Sequence, residues 1–319
     1  MSSPNSKRHF SKLTLADAFT LAEPPSWVAS ILPVLLGGAL SLSLGHSQLS
    51  GAPLSRSLLI FFLMLVTSIL AQSSVNVLND YADFVKGTDS AENSINLTDV
   101  PIIHRNLNPK SARNVALVYL ACALIAGLSV VALTGWILLI IGLVGAATGV
   151  GYSFGPKPIS YLPLGEFISG FVMGELITFA TYYALTSNLN WNVLFWTLPV
   201  FFGIANIMQT NNTCDIDRDT EAGRKTLPIL LGKKNSAHMM AITNMAALAI
   251  ALVFTLNHAF PWGLILMLIV TVIQSRAIAK IYNFDYNYKT RPQAMKLAMM
   301  QVVFINAFYI FALLIGVLS

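Results

Sequence analysis

The chain has 319 residues, 55% of them hydrophobic and only 10% charged, with a formal net charge of +5. Soluble domains carry roughly 25% charged residues, so a water-soluble globular fold is excluded. Apolar runs long enough to cross a bilayer define instead an all-α, polytopic membrane helical bundle.

Lys7, Arg8, His9 and Lys12 precede no short apolar core with a small-residue cleavage site, so residues 1–25 read as a cytoplasmic N-terminal tail and not as a cleaved signal. Residues 26–319 read as a single transmembrane domain of about nine helices. The expected spans are 26–44, 57–79, 114–134, 136–153, 164–186, 191–211, 236–256, 260–275 and 297–318. Turn residues separate them: Gly51 and Pro53, then Gly135, then Asn188 and Asn190. Cys122 and Cys214 have no spacing that suits a disulfide framework or a zinc site.

Every Lys and Arg except Arg56 falls in the tail or in a loop that follows an even-numbered span. That asymmetry places the N-terminus and those loops in the cytoplasm and the C-terminus outside, as for a multi-pass protein of the cell (plasma) membrane. The positive charge is thereby accounted for without nucleic acid.

Two of these loops begin with acids. Span two ends in Asn76, Asn79, Asp80, Tyr81 and Asp83, and the spacing of Asn76, Asp80 and Asp83 (four, then three) puts them on one helical face. Span six ends in Asn211, Asn212, Asp215, Asp217 and Asp219, with Asn212, Asp215 and Asp219 three and then four apart. Carboxylates at a helix C-terminus are disfavoured by the macrodipole and call for a cation. One amide and two carboxylates make a hard-oxygen set that suits Mg²⁺, which keeps waters and shares its shell with substrate phosphates. A diphosphate held by such ions would be neutralised further by Lys86, Lys157, Arg224 and Lys225. Either cluster alone reads equally well as a solvated helix end. Matching composition at equivalent positions, four spans apart and with the same polarity, favours a paired site and suggests a parallel duplication.

The stretch Asn79, Asp80, Tyr81, Ala82, Asp83 resembles the first Asp-rich motif of the UbiA superfamily of intramembrane prenyltransferases, and Asp215 to Asp219 resembles its second. Asn76 through Lys86, Gly87 and Asp89 is similar to the branch that acts on 1,4-dihydroxy-2-naphthoate in menaquinone synthesis. The run Asn211, Asn212, Asp215, Ile216, Asp219, Gly223, Lys225, Thr226, Leu227, Leu231, Gly232 agrees with that branch. The resemblance covers nearly the whole chain. It implies Mg²⁺-assisted loss of diphosphate from a polyprenyl diphosphate and transfer of the prenyl group to an aromatic acceptor. Asp80, Asp83, Asp215 and Asp219 are the implied metal ligands. Asn76, Asn79, Asn211 and Asn212 join them around the diphosphate, and Tyr152 with Ser153 stands where the family has a Tyr-containing segment. Two departures stand out: Gly87 occupies the place of a further Asp, and Glu23, Pro24 and Pro25 replace an Arg-Pro before the first span.

The remaining residues divide by depth. Glu175 lies well inside span five and is expected to face the bundle interior, paired or protonated. Gly170 and Gly174 suit a close helix crossing. Tyr152, Phe154, Phe167, Phe171, Phe179, Tyr182 and Tyr183 are candidate aromatic faces for an allylic cation, each weighed against plain packing. Acceptors such as 4-hydroxybenzoate stay open within the same fold. A cation-coupled transporter is the reading from another class, and the placing of the acids at span ends argues against it.

Overall fold

The computed structural model describes residues 10–44, 53–86, 101–153 and 155–318, with the side chains of Asp83, Lys86 and Pro101 outside that description. Eight helical stretches are long and apolar enough to cross a membrane: Pro24–Leu44, Leu54–Ala82, Pro109–Thr134, Trp136–Ser153, Gly165–Thr186, Leu227–His258, Trp262–Tyr282 and Tyr288–Leu318. Each overlaps an expected span, but Leu227–His258 and Tyr288–Leu318 begin well before the expected 236 and 297, and Trp262–Tyr282 ends well after the expected 275, because the helices continue beyond their apolar runs. The expected span 191–211 is two consecutive helices, Asn192–Trp196 and Leu198–Cys214. The break falls at Thr197, where Pro199 suits a new first turn because it has no N–H to lose there. Membrane-length segments arise because lipid leaves backbone polar groups no partner outside the helix.

In chain order the elements used below are α1 (Leu15–Leu21), α2 (Val28–Leu44), α3 (Leu54–Lys86), α4 (Pro101–His104), α5 (Pro109–Thr134), α6 (Trp136–Ser153) and α7 (Gly165–Thr186). They continue with α8 (Asn192–Trp196), α9 (Leu198–Cys214), α10 (Ile216–Glu221), α11 (Leu227–His258), α12 (Trp262–Tyr282) and α13 (Arg291–Leu318). Between α5 and α6 the chain reverses at Gly135, whose φ of 108° is open to glycine at little cost. Leu117, Val118, Ile125 and Leu128 on α5 and Trp136, Ile140 and Leu143 on α6 are exposed, as expected of side chains that meet lipid.

The chain forms two compact units. The smaller, residues 1–27 with 69–124, contains α1, which lies within the stretch expected to be a tail. Thr14 and Asp17 cap α1 reciprocally, and Leu21 is buried in a cluster with Val77, Ile102, Leu107, Ala112 and Ala116. The Thr14 hydroxyl and N–H, then the Arg105 guanidinium at 2.6 Å, hold the Asp17 carboxyl down at about 2. The larger unit, residues 28–68 with 125–319, holds the main core of α2, α7, α9, α11, α12 and α13. Within it α7 crosses α9 closely. A Cβ on Gly170 would stand 2.8 Å from Phe201 O, and one on Gly174 2.8 Å from Phe201 Cα, as the sequence expectation required.

Candidate functional site

In the larger unit the second acidic stretch folds around the end of α9. It is not one helix: α9 stops at Cys214, Asp215 takes φ −100° and ψ 12°, and α10 begins at Ile216. The four-residue spacing survives, because Asp219 N–H still donates to Asp215 O at 2.8 Å. Gly223, with φ of 73°, then turns the chain back, and Arg224 N–H donates to Asp219 O at 2.8 Å. That return brings the Arg224 guanidinium to Asp219 Oδ1 at 3.2 Å, beside the Tyr161 ring.

Asp215 and Asp219 are both buried, at 9% and 6% exposure. Asp215 Oδ2 lies 3.5 Å from Arg291 Nη1, and Arg291 Nε donates to Asn211 Oδ1 at 2.9 Å. Asn212, one residue further along α9, donates through Nδ2 to Glu166 Oε1 at 2.8 Å. Tyr152 reaches the same end of the unit: its hydroxyl donates to Met208 Sδ at 3.3 Å and lies beside Ser169. Asn211, Asn212, Asp215, Asp219, Arg224 and Tyr152 are thus gathered around one helix end. Lys157 and Lys225 are exposed, and among the described residues their side chains make no hydrogen bond or ion pair. Asp217 is 86% exposed and 3.8 Å from Lys233, a surface pair of small energetic weight.

Burial drives the Asp219 carboxyl up to about 6, opposed by Arg224 and reinforced by the neighbouring Asp215 charge. Its Oδ2 is sealed from solvent and has no hydrogen-bond partner among the described residues. A buried oxygen in this condition favours a cation, which would satisfy it and stabilise the ionised form. Among the described residues no three His, Cys, Asp or Glu side chains converge as a metal-holding group. A cation here therefore needs amide oxygens, water and substrate oxygens to complete its shell, which is the habit of Mg²⁺. The donor set fits that ion.

In the smaller unit the first acidic stretch continues α3 without a break to Lys86, so Asn76, Asp80 and Asp83 follow one another along a single helix. Asn76, Asn79 and Asp80 are half-buried. Asn76 Nδ2 donates to Ser26 Oγ at 2.9 Å and to Ala22 O at 3.2 Å, and Gln72 Nε2 donates to Ser26 O at 2.8 Å. Expectations for the side chains of Asp83 and Lys86, and for Phe154, Gly87 and Asp89, concern groups outside the described residues.

Glu175 is buried at 8% exposure within a π-helical segment, Gly170–Leu176, that interrupts α7. Its side chain faces the interior as expected, and among the described residues it has no hydrogen bond or ion pair. Phe179, Tyr182 and Tyr183 are buried in hydrophobic clusters, whereas Phe167 is 56% exposed and stacked on Phe171. Two residues escaped the sequence reading, Glu166 and Arg291. Glu166 carried only a weak signal, an ionisable residue just inside the start of the expected span 164–186.

Buried carboxylates and amides, held by arginines at the end of an apolar helix, define an integral membrane protein of the helical-bundle class with a polar centre at a helix end. The chain belongs to the UbiA prenyltransferase family, which it matches over residues 27–312. It is 32% identical over 93% of its length, and 91% of the relative's, to a 1,4-dihydroxy-2-naphthoate octaprenyltransferase of Bacillus subtilis. It is 26% identical to a 2-carboxy-1,4-naphthoquinone phytyltransferase of Synechocystis, covering 77% of this chain and 76% of that one. Its fold is similar to that of a UbiA homologue from Archaeoglobus fulgidus bound to GPP and Mg²⁺. The TM-score is 0.62 at 16% identity, over 95% of this chain and all (100%) of that one.

Proposed function

We propose that this UbiA-family prenyltransferase transfers a polyprenyl group from a polyprenyl diphosphate to 1,4-dihydroxy-2-naphthoate, giving demethylmenaquinol, CO₂ and diphosphate. The observation that carries this reading is the buried Asp215 and Asp219 pair, with Asn212 beside it, in a chain similar over almost its whole length to a naphthoate octaprenyltransferase. Residues 26–319 act as one catalytic domain in this reading. Asp80, Asp83, Asp215 and Asp219 hold Mg²⁺, with Asn76, Asn79, Asn211 and Asn212 adding amide contacts.

Bound Mg²⁺ would supply charge neutralisation for the departing diphosphate. Arg224 and Arg291 already face the second acidic stretch, so each is placed to turn from carboxylate to phosphate oxygen as the donor arrives. Lys157 and Lys225, exposed and uncommitted in the described protein, add mobile positive charge. The allylic C–O bond breaks with its electron pair leaving on the diphosphate. The electron-rich ring of the acceptor attacks the allylic carbon, and the ring carboxylate departs as CO₂. Tyr152, packed against Met208, offers an aromatic face near this end of the larger unit. Surrounding apolar side chains keep water from capturing the cation as an alcohol.

The test is to incubate purified protein with Mg²⁺, a polyprenyl diphosphate and a panel of aromatic acceptors, reading product masses. Prenylated, decarboxylated naphthoate is the expected product. Turnover of 4-hydroxybenzoate with none of the naphthoate would move the chain to another acceptor, and no prenyl product at all would remove the activity.

The protein is an integral membrane protein. The finer reading proposed here places it in the plasma membrane with its N-terminus and acidic stretches cytoplasmic and its C-terminus outside, supported by the bias of Lys and Arg toward one set of loops. In intact cells a cysteine at position 319 (Ser319→Cys, in a background lacking Cys122 and Cys214) should react with a membrane-impermeant maleimide. Protection until the cells are lysed would reverse the orientation.

A further inference from the structure

Glu166 is 2% exposed and occupies the first turn of α7. Its Oε1 receives the hydrogen bond from Asn212 Nδ2 at 2.8 Å, while its Oε2 is sealed off with no hydrogen-bond partner among the described residues. The carboxyl group also lies toward the backbone N–H of Leu227 at the start of α11. Burying a carboxylate with an unsatisfied oxygen costs stability that an apolar side chain of equal volume would not. What the carboxylate does and an apolar residue would not is choose between the two ends of a neighbouring amide.

The ends of an asparagine amide differ in kind, since the NH₂ only donates and the carbonyl oxygen only accepts. A carboxylate only accepts, so it binds the NH₂ end and leaves Oδ1 turned away from it. Asn212 Oδ1 accepts no hydrogen bond among the described residues. The other acidic stretch, in its own unit, shows the same device with a different partner. There Asn76 Nδ2 is tied to the backbone carbonyl of Ala22 and to Ser26 Oγ. In both amides the end that would repel a cation is tied back and the end that would bind one is left.

We infer that Glu166 is a positioning residue that fixes the Asn212 amide so that it presents Oδ1 to a divalent cation at the Asp215 and Asp219 end of α9, and not an NH₂ to the diphosphate. This rests on the proposed reading of that end as a metal site, and it moves Asn212 from the diphosphate to the cation.

The experiment is a Mn²⁺ titration of the purified full chain, followed by EPR spectroscopy without substrate, with the thermal midpoint of each variant recorded alongside. Glu166→Leu removes the acceptor at similar volume and should weaken Mn²⁺ binding by about 10- to 100-fold, as loss of an outer-shell partner does. Glu166→Gln combined with Asn212→Asp conserves net charge and reverses the hydrogen bond: the Gln amide donates to one Asp oxygen and leaves the other for the cation. This double variant should return to within about threefold of wild type, although Asn212→Asp alone sets two carboxylates against each other and should not improve on wild type.

A role confined to anchoring α11 would lower the thermal midpoint of Glu166→Leu and leave its Mn²⁺ affinity unchanged, which would overturn the inference. So would a double variant as weak as Glu166→Leu. So would Asn212→Ala that binds Mn²⁺ as tightly as wild type, whereas wild-type protein that binds no Mn²⁺ would instead overturn the metal-site reading beneath it.

Discussion

Asp80→Ala and Asp215→Ala each lose prenyl-transfer turnover by more than roughly a hundredfold while remaining folded, the loss expected when a group that stabilises developing charge is removed. The two reach that result from different surroundings. Asp80 sits half-buried on the unbroken C-terminal turns of α3, where removing a carboxylate relieves an unfavourable position in the macrodipole. Asp215 sits buried at the junction of α9 and α10 beside Arg291, and its loss leaves that guanidinium without its carboxylate. The control is Asp217→Ala, two residues on, whose side chain is 86% exposed and should leave turnover within about twofold of wild type. Stopped-flow or mass-detected turnover, with size-exclusion profiles for each variant, makes the comparison. Near-normal turnover in Asp215→Ala would take it out of the metal shell, and a loss in Asp217→Ala equal to the others would mean that net negative charge, not ligand position, is what matters.

The parts of this arrangement that a bilayer or a motif enforces were legible in the sequence. The spans follow because lipid demands about 20 apolar residues with internally satisfied backbones, and each of the eight membrane-length helices overlaps an expected span. Their limits were less legible, since helices continue past the apolar run, as where Leu227–His258 starts well before 236 and Trp262–Tyr282 runs on beyond 275. Asn212, Asp215 and Asp219 could be grouped because helical spacing survives even where the helix does not: the break at Asp215 keeps the four-residue hydrogen bond to Asp219. The missed residues are those whose partners are distant in sequence. Arg291 reads as a loop charge that sets orientation, and only the fold brings it to Asn211 and Asp215, 80 residues away from the former. Glu166 lies next to Gly165 at the edge of a span, where an acid looks like a boundary residue, and its burial against Asn212 depends on the crossing of α7 with α9. The π-helical segment around Glu175 has no periodicity that separates it from ordinary helix over a single turn.

That crossing makes Gly174→Val the substitution with the largest expected effect on the fold. A Cβ at position 174 would stand 2.8 Å from Phe201 Cα, 3.0 Å from Phe201 N and 3.3 Å from the Val200 carbonyl carbon. These are backbone atoms of α9, so no side chain can swing aside and the two helices must separate. Overpacking of a tight interior costs typically 1–3 kcal/mol, roughly, and a branched side chain against backbone belongs at or above the upper end. The same separation reaches the candidate site. α7 carries Glu166 one turn and more before the contact and α9 carries Asn212 beyond it, so a wedge at Gly174 pulls on their 2.8 Å hydrogen bond. Gly174→Val should therefore lower the thermal midpoint and weaken Mn²⁺ binding together. Gly142→Ala gives the opposite sign, because its added Cβ meets nothing within 4 Å on α6 and a helical glycine replaced by alanine gains up to about 1 kcal/mol. Thermal midpoints that fall equally in the two variants would show that the crossing does not set the stability of this unit. A Gly174→Val protein that melts early yet binds Mn²⁺ normally would show that the Glu166 and Asn212 pair is held by something other than the crossing of α7 and α9.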